Sequence, residues 1–558
     1  MTHRAPLSLL RTRFASLSVL ALAACGGSGG DGGSATDPLT PPAAATPMQL
    51  SGTVATAAPL AGAAVTATCA RGGGSTTADA SGAYVEKLDD ASLPCVVVAT
   101  SADGATVLRS VAAGTGAADA TVQVTPLTEL LVAQLAGAAP GIFAANFNAA
   151  TTVDPTSLQQ AQATLLQSLA QANVDLSGVT DVVAGALQPA SGSGYDAALQ
   201  HLASALADSG SSLEQLATAV ATSAGLGSQT SGSVVATQLA VANADCPSLK
   251  SGRHRSIDFG DQSDSVVTVD ARALTVVVDG VTHAMTAIEP CLYAIDDAYA
   301  TQWAVAKSGM GVWRQGGAGV AADLGMTVPE QTLDVAALAG AYNRVSYAGT
   351  TIGSGDFGQL TFDANGVNTS SVQCPDYGDC AAVPNLHAHV AADAAGGFDY
   401  FDENDATPTI DARSFAYRDG GGHTWIVATT GEAVVLLSPQ DTLSLPSDGS
   451  SNAYWQLDVT PANLGAFVSD DVAAIAADAA TSTVTRRFAS DGHTDTVTFN
   501  DPGQGLRHRA ANACLTSDNG PRSCNAVVQM PMTGSGITAV VSADPAKHFL
   551  SLSVGKPS

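Results

Sequence analysis

The sequence predicts a multidomain, mainly β protein with an N-terminal β-sandwich, a small helical bundle and a C-terminal antiparallel β region, built as a sandwich or a barrel. Three observations predict this class. Short β-rich runs separated by Gly- and Pro-containing turns occur at 48–125 and again from 246 onward. Between them, 126–223 carries leucines at helical spacing. The chain has 558 residues, more than one hydrophobic core normally serves.

The first 24 residues have the order of a bacterial export signal. Arginines precede an apolar stretch, 14–24, that is too short for a permanent membrane span, and small residues lead directly to Cys25. The segment Leu-Ala-Ala-Cys-Gly at 22–26 resembles the lipobox of bacterial lipoproteins. That resemblance implies cleavage before Cys25, diacylglycerol on its thiol and acylation of the new amine. An ordinary secretory signal with a chance cysteine is the alternative.

Composition and the export signal together limit location and partners. Residues 25–47 are rich in Gly, Ser, Ala, Thr, Asp and Pro, which predicts a flexible tether. By analogy with lipoproteins, Gly26 in place of an acidic residue favours the outer membrane, so we expect a lipid-anchored protein of the cell envelope. The formal net charge of −28 argues against nucleic acid as a partner, because phosphate would be repelled.

Residues 48–125 contain about seven short strands, as in a β-sandwich. Three segments carry a family resemblance: Leu-Ser-Gly-Thr-Val at 50–54, Pro-Leu-Ala-Gly-Ala-Ala-Val at 59–65, and Thr-Ala-Asp-Ala-Ser-Gly-Ala-Tyr at 77–84. In this order they resemble the carboxypeptidase regulatory-like, transthyretin-like domain. The resemblance implies a fold and a structural, adhesive or carbohydrate-contacting role rather than a reaction.

Residues 126–223 are expected to form a helical bundle. Thr125 caps the first helix, with Pro126 at a position that needs no backbone donor, and Asp154 precedes a second helix. The succession of sandwich, Thr-Pro-Leu-Thr-Glu-Leu-Leu and alanine-rich helices resembles a group of proteobacterial lipoproteins. Residues 224–245 are rich in Gly, Ser, Thr and Ala, which predicts a linker.

The remainder of the chain is expected to be antiparallel β structure, divided near residue 330 into a β subdomain, 246–330, and a C-terminal β domain, 331–558. Two apolar runs at 424–427 and 433–437 flank a Thr-Gly turn and predict a hairpin. Similar runs flank an Asp-Ala turn at 270–271.

Apart from Cys25, the cysteines form an even set, which in an exported chain predicts disulfides. Eight cysteines allow 105 connectivities. Pairing in sequence order keeps each bridge within one predicted unit and joins Cys69 to Cys95, Cys246 to Cys291, Cys374 to Cys380 and Cys514 to Cys524. Zinc binding is the alternative, but no spacing is Cys-x-x-Cys.

The candidate metal ligands cluster at 387–411. His387 and His389 would share one strand face, where two imidazoles suit a metal ion, and Asp399, Asp402 and Asp405 follow closely. Carboxylates of this density also suit calcium. A solvated strand face and an acidic surface loop are the alternative. We expect no cofactor, with calcium at this cluster as the competing hypothesis.

Within these limits the sequence favours a non-catalytic structural or binding role, because no serine or histidine has a persuasive catalytic context. Expected partners are the membrane, through the lipid, and glycans or other envelope proteins. A carbohydrate-binding lipoprotein is one alternative, since tryptophans stack on sugars and Trp455 is the best candidate for an exposed platform, whereas Trp425 lies in a core-like run. A hydrolase with a site assembled in the C-terminal β region is the other alternative.

Overall fold

The computed structural model describes residues 47–316, 322–348, 355–384, 387–402, 410–460, 463–544, 547 and 549–557. The predicted signal peptide 1–24, the predicted lipid site Cys25, the tether up to residue 46 and Asp405 lie outside the described residues. Strands account for 45% of the chain and helices for 16%, arranged in several sheets, so the predicted mainly β fold class is confirmed.

Two small sheets make up the N-terminal β region. Their strands are β1 (Met48–Thr53), β2 (Ala64–Arg71), β3 (Gly73–Thr77), β4 (Ala83–Leu88), β5 (Ser92–Thr100), β6 (Val107–Gly116) and β7 (Ala120–Thr121). One sheet has the order β4-β1-β7 and the other the order β3-β2-β5-β6. Leu50 from the first sheet and Val65 and Val97 from the second belong to one buried cluster, as in a sandwich. The transthyretin-like resemblance itself stays a prediction.

Three residues of the segments that carry this resemblance stabilise the fold through close packing or hydrogen bonds. A Cβ at Gly52 would lie 1.9 Å from the carbonyl oxygen of Val122, so only glycine allows the two backbones to approach. The hydroxyl of Tyr84 donates to the same carbonyl at 2.7 Å. The carboxylate of Asp79 accepts from the backbone amide of Ser81 at 2.8 Å and closes the turn before β4.

The helices are α1 (Pro126–Ala136), α2 (Pro140–Asn146), α3 (Pro155–Gln171), α4 (Tyr195–Ser209), α5 (Leu213–Ser223) and α6 (Ser228–Leu239). Thr125 caps α1 by accepting from the amide of Thr128 at 3.2 Å, and Asp154 caps α3 by accepting from the amide of Ser157 at 3.0 Å, both as predicted. Among the described residues, no single helix has the length and apolar composition of a membrane span, and one pair bent by 70°, α1 with α2, meets that test jointly.

The linker predicted at 224–245 is wrong over most of its length, because α6 occupies 228–239. Val234 and Val235 are buried, and the helix packs against α3 and α5. Gly232 permits this approach, since a Cβ there would lie 1.5 Å from Oε1 of Gln171. Tertiary packing thus overrides a Gly- and Ser-rich composition that disfavours a helix.

The predicted β subdomain at 246–330 is a closed barrel of eight strands. These are β8 (Gly252–Asp258), β9 (Asp264–Asp270), β10 (Thr275–Val278), β11 (Val281–Glu289), β12 (Leu292–Ile295), β13 (Gln302–Val305), β14 (Gly311–Gln315) and β15 (Asp323–Pro329). They follow one another around the ring, and β15 pairs with β8 to close it. We call this unit the first barrel.

A nine-stranded antiparallel sheet follows, which we call the curled sheet. Its strands are β16 (Gly340–Ala348), β17 (Gly355–Phe362), β18 (Asn368–Asp376), β19 (Asp379–Ala382), β20 (Ala388–Ala392), β21 (Phe398–Asp402), β22 (Ile410–Arg418), β23 (Thr424–Thr429) and β24 (Ala433–Pro439). A bridge between Val367 and His389 brings β20 beside the turn between β17 and β18, so the sheet curls on itself. The predicted hairpin at 424–437 is β23 paired with β24.

The last unit is a second barrel. Its region contains β25 (Ser451–Thr460), β26 (Asn463–Leu464), β27 (Val468–Asp478), β28 (Thr483–Phe488), β29 (Thr494–Phe499), β30 (Arg507–Arg509), β31 (Cys514–Leu515), β32 (Pro521–Arg522), β33 (Val527–Met532), β34 (Ile537–Ser542) and β35 (Leu550–Gly555). The path β28-β27-β25-β35-β34-β33-β30-β29 returns to its start because β28 also pairs with β29. The predicted domain 331–558 therefore contains the curled sheet and this barrel.

One hydrophobic cluster joins the three C-terminal units. It includes Met326 of the first barrel, Val345 and Trp425 of the curled sheet, and Met530 and Leu552 of the second barrel, each at most 2% exposed. Burial of such side chains is the main favourable term in folding. We therefore expect the three units to stabilise one another.

The four predicted cysteine pairs are disulfide-bonded in the structure. Each bridge lies within one unit, and Cys69 stands directly opposite Cys95 in the pairing of β2 with β5. The pairings span 26, 45, 6 and 10 residues in sequence order.

Removal of the bridge that closes the longest loop should have the larger effect on stability. In the chain-entropy model, loss of the bridge between Cys246 and Cys291 lowers the free energy of unfolding by about 4 kcal/mol, and loss of the bridge between Cys374 and Cys380 by about 2 kcal/mol. We expect this order for the two double alanine variants in chemical unfolding of the full chain. Equal losses in the two variants would contradict the model.

Candidate functional site

The two predicted metal-binding histidines lie at the start of β20. His387, directly before the strand, is exposed. His389, on the strand, is half-buried, and its ring stacks on Phe401 with ring centroids 5.2 Å apart. The two histidines therefore lie in different surroundings, His387 in solvent and His389 against Phe401.

The predicted carboxylate ligands follow on β21. Asp399 stands opposite Arg413 on β22, and its pKa is raised by burial and by Asp393, while Arg413 opposes that rise. The side chain of Asp402 and the whole of Asp405 are outside the described residues. Within the part of the chain that is described, no three His, Cys, Asp or Glu side chains are grouped to hold a metal ion. The metal hypothesis stays a prediction.

The proposed sugar platform at Trp455 is wrong, because this side chain is 1% exposed. Its indole nitrogen donates to Glu289 at 3.3 Å, and the ammonium of Lys556 lies 5.1 Å from the ring centroid. Trp425 is fully buried, as its apolar neighbours in sequence predicted. Trp303 is also buried. The carbohydrate hypothesis therefore loses its aromatic support at these three positions.

A concavity of about 770 Å³ lies where the helices meet the first barrel and the curled sheet; we call it the central cleft. Its walls come from α4 to α6, from β8 and the turn between β13 and β14, and from the turn between β22 and β23. Pockets for small molecules usually measure about 300–1,000 Å³. The cleft is therefore large enough for a small-molecule ligand.

The charge of the lining differs from that of the whole chain, which has 22 Lys and Arg against 50 Asp and Glu. Four basic and three acidic residues line the cleft: Lys250, Arg253, Lys307, Arg418, Glu214, Glu330 and Asp419. The cleft is thus a locally cationic surface in a strongly acidic protein, which favours approach of polar or negatively charged molecules.

Lys250 and Arg418 hold the helices against the β units. The ammonium of Lys250 donates to the carbonyl of Gln238 at the end of α6, and burial lowers the pKa of Lys250 to about 8. The guanidinium of Arg418 donates to the hydroxyl of Thr424 at 2.8 Å and to the carbonyl of Thr222 at 3.1 Å. Burial lowers the pKa of Arg418 as well. Both side chains therefore connect the β units to the helices along the cleft wall.

Glu330 and His254 form the wall on the first barrel. Burial works against ionisation of Glu330, but salt bridges to Arg253 and Arg255 prevail and lower its pKa. Burial lowers the pKa of His254 to about 4, so its ring is neutral near pH 7. Its Nδ1 lies 3.3 Å from the carbonyl of Gly252. His254 therefore has the surroundings of a structural histidine.

Asp419 and His423 close the turn of the curled sheet at the cleft. The two side chains lie 3.2 Å apart, and this hydrogen bond raises the pKa of His423. Lys307, on the turn between β13 and β14, and Glu214, on α5, also line the cleft, and both side chains are exposed. Their charges can contact a ligand. The charges of Lys250, Arg418 and Glu330, by contrast, are held by hydrogen bonds and salt bridges within the cleft wall.

Sequence reasoning missed this cleft because its residues extend from 209 to 534. One signal was available. The chain has only five lysines, and Lys250 and Lys307 both line the cleft.

No protein-family model matches the chain. A search of curated proteins also gave no match. Solved structures with similarity include two mutants of the vaccine antigen Transferrin Binding Protein B (TbpB) from Haemophilus parasuis Hp5. The single mutant has 8% identity and a TM-score of 0.18, with 53% of this chain and 66% of that chain covered. The double mutant has 8% identity and a TM-score of 0.18, with 52% and 65% covered.

A third similar structure is intact Ap-TbpB with its N and C lobes. It has 7% identity and a TM-score of 0.16, with 53% of this chain and 67% of that chain covered. The chain spans just under two thirds of the length of the two H. parasuis proteins. At TM-scores this low, the similarity carries no argument about fold or function.

Proposed function

We propose that this chain is a lipid-anchored protein of the cell envelope with a non-catalytic binding role, and that the central cleft holds its ligand. The observation that carries the proposal is the cationic cleft of about 770 Å³ framed by the helices, the first barrel and the curled sheet. The lipobox-like segment at 22–26 supports the anchor, and Gly26 supports the outer membrane.

The chemistry of the cleft favours binding over catalysis. Lys250 and Arg418 are engaged with backbone carbonyls, and His254 is neutral and hydrogen-bonded to backbone. A nucleophile needs a neighbouring base within hydrogen-bond reach, and none of these groups is placed to activate a serine of the cleft. Exposed Lys307 and Glu214 suit a polar ligand with an acidic group.

Charge reversal at Lys307 tests this proposal. We expect a screen of glycans, acidic peptides and small-molecule envelope extract against the full lipoprotein in detergent to yield a ligand that raises its melting temperature. Lys307→Glu should raise the dissociation constant of that ligand about tenfold or more. A tenfold rise corresponds to a loss of about 1.4 kcal/mol of binding free energy at 25 °C.

The matched control is Lys87→Glu, the same charge change at an exposed position of the sandwich. This variant should bind as the unmodified protein does. If ligands from the screen bind both variants equally, the cleft is not their site and the proposal fails. A glycan among the hits would favour the carbohydrate alternative.

A further inference from the structure

The two faces of the curled sheet pack against different partners. Side chains alternate along a strand, so Trp425 and Val427 of β23 lie on one face and Ile426 and Ala428 on the other. Trp425 and Val427 belong to the hydrophobic cluster that the sheet shares with the two barrels. Ile426 belongs to a separate cluster that the curled sheet forms with the segment just before it. We call the face of Ile426 and Ala428 the inner face.

Contacts across the sheet show that the inner face is concave. The rings of Phe362 on β17 and Tyr400 on β21 have centroids 6.4 Å apart. The amide nitrogen of Asn368 on β18 donates to the hydroxyl of Tyr400 at 3.1 Å. Four strands lie between β17 and β21 in the order of the sheet, so these side chains meet only because the sheet curls around them.

A cavity of about 180 Å³ lies on the inner face. Its apolar wall is formed by residues of four strands: Leu360, Phe362, Val390, Ile426 and Leu437. An apolar cavity of about 150 Å³ is large enough to bind benzene. We call this space the inner cavity, and its volume suits one aromatic ring.

The lining of the inner cavity includes a buried hydrogen-bond acceptor. Asn368 lines the cavity and is 4% exposed. Its amide nitrogen donates to Tyr400, but its Oδ1 is buried and accepts no hydrogen bond from any residue in the described part of the chain. A buried acceptor that stays unpaired costs free energy, so a ligand that donates a hydrogen bond to it is favoured.

The charged residues of the lining favour a neutral ligand over an anion. The guanidinium of Arg344 is paired with Asp356, with Nη2 and Oδ2 2.6 Å apart, so its charge is compensated within the protein. The other charge of the lining is the carboxylate of Asp411. Asp411 and Thr430 are exposed, which shows that the cavity reaches solvent on their side and gives a small ligand a route inward.

We propose that the inner cavity binds a small neutral aromatic molecule that carries one hydroxyl or N–H donor, such as a phenol. The ring packs against Phe362 and Ile426, and the donor bonds to Oδ1 of Asn368. The inner cavity shares no lining residue with the central cleft, so this proposal does not depend on the ligand proposed for the cleft.

Equilibrium dialysis of the full chain in detergent tests the site with phenol and toluene, in which a methyl group replaces the hydroxyl at nearly the same volume. Equal detergent on both sides keeps the free concentration of each probe the same for every variant. We expect saturable binding of both probes to the unmodified protein. Asn368→Leu removes the acceptor at similar side-chain volume and should raise the ratio of the phenol to the toluene dissociation constant at least tenfold. Asn365→Leu, in the exposed turn before β18, should leave that ratio unchanged.

A second variant tests the position of the probes. Ala428 is buried and lines the inner cavity, so Ala428→Leu fills part of the space and should weaken both probes at least tenfold. Asn368→Leu should retain toluene, which shows that its cavity is still formed. Failure of either probe to saturate the unmodified protein, an equal loss of both probes or an unchanged ratio in Asn368→Leu, or undiminished binding by Ala428→Leu would overturn the proposal.

Discussion

Replacement of Asp495 by asparagine is expected to lower the free energy of unfolding by about 3–5 kcal/mol, the loss typical of one missing partner in a buried ion pair. Asp495 is the fully buried carboxylate between Arg486 and Arg509. Without its charge, the guanidinium groups of Arg486 and Arg509 lose the counter-ion that they share. Chemical unfolding of the full chain measures the loss.

The difference in free energy of unfolding between the unmodified protein and Asp495→Asn should change with pH in a defined direction. Burial raises the pKa of Asp495, but Arg486 and Arg509 outweigh it and lower the pKa below its usual value of 3.8. A carboxyl with a depressed folded pKa contributes stability that is present above its unfolded pKa and lost as the pH falls through the folded pKa. The difference between the unmodified protein and the variant should therefore be complete near neutral pH and shrink below about pH 4.

Asp491→Asn is the matched control. Asp491 also pairs with an arginine, Arg522, but its side chain is 45% exposed, so we expect little change in stability. Similar losses in the two variants, or a loss in Asp495→Asn that is constant down to pH 2, would contradict the assignment of Asp495 as a buried counter-ion.

Cys25→Ser is expected to move the protein from the membrane fraction to the soluble fraction. The lipobox-like segment implies that the thiol of Cys25 carries the lipid, and a hydroxyl cannot accept it in the same way. Two acyl signals hold a protein on a membrane far more firmly than one, so loss of the modification removes the anchor. Fractionation with metabolic labelling by a palmitate analogue measures both effects.

Cys380→Ser serves as the control, because it changes an exposed cysteine of the curled sheet and leaves the lipobox intact. It should remain in the membrane fraction and carry label. Membrane retention of Cys25→Ser would show that another part of the chain provides attachment, and it would contradict the proposed lipid anchor.

Local features of this protein were predictable from the sequence because each rests on neighbours in the chain. Thr125 and Asp154 cap helices through amides three residues away. The turn at Asp79 depends on Ser81, and the hairpin of β23 and β24 on a short turn. The disulfides followed sequence order because each bridge joins strands or loops of one unit.

Other features were decided only by the tertiary structure. The helix α6 exists because it packs against α3, where Gly232 allows close approach, and because it buries Val234 and Val235; this packing overrides a composition typical of a linker. Trp455 is buried because the first barrel and the second barrel share one hydrophobic cluster. Neither contact has a local sequence signature, since both depend on how distant units pack.

The central cleft belongs to this second group. It collects Lys250 and Lys307 from the first barrel, Arg418 from the curled sheet and Glu214 from the helices. By itself the sequence determined the charge and most of the strand and helix pattern, and the export signal stays a prediction. Closure and packing decided which charges lie together, because electrostatic interaction depends on distance in space and on exclusion of water rather than on separation along the chain.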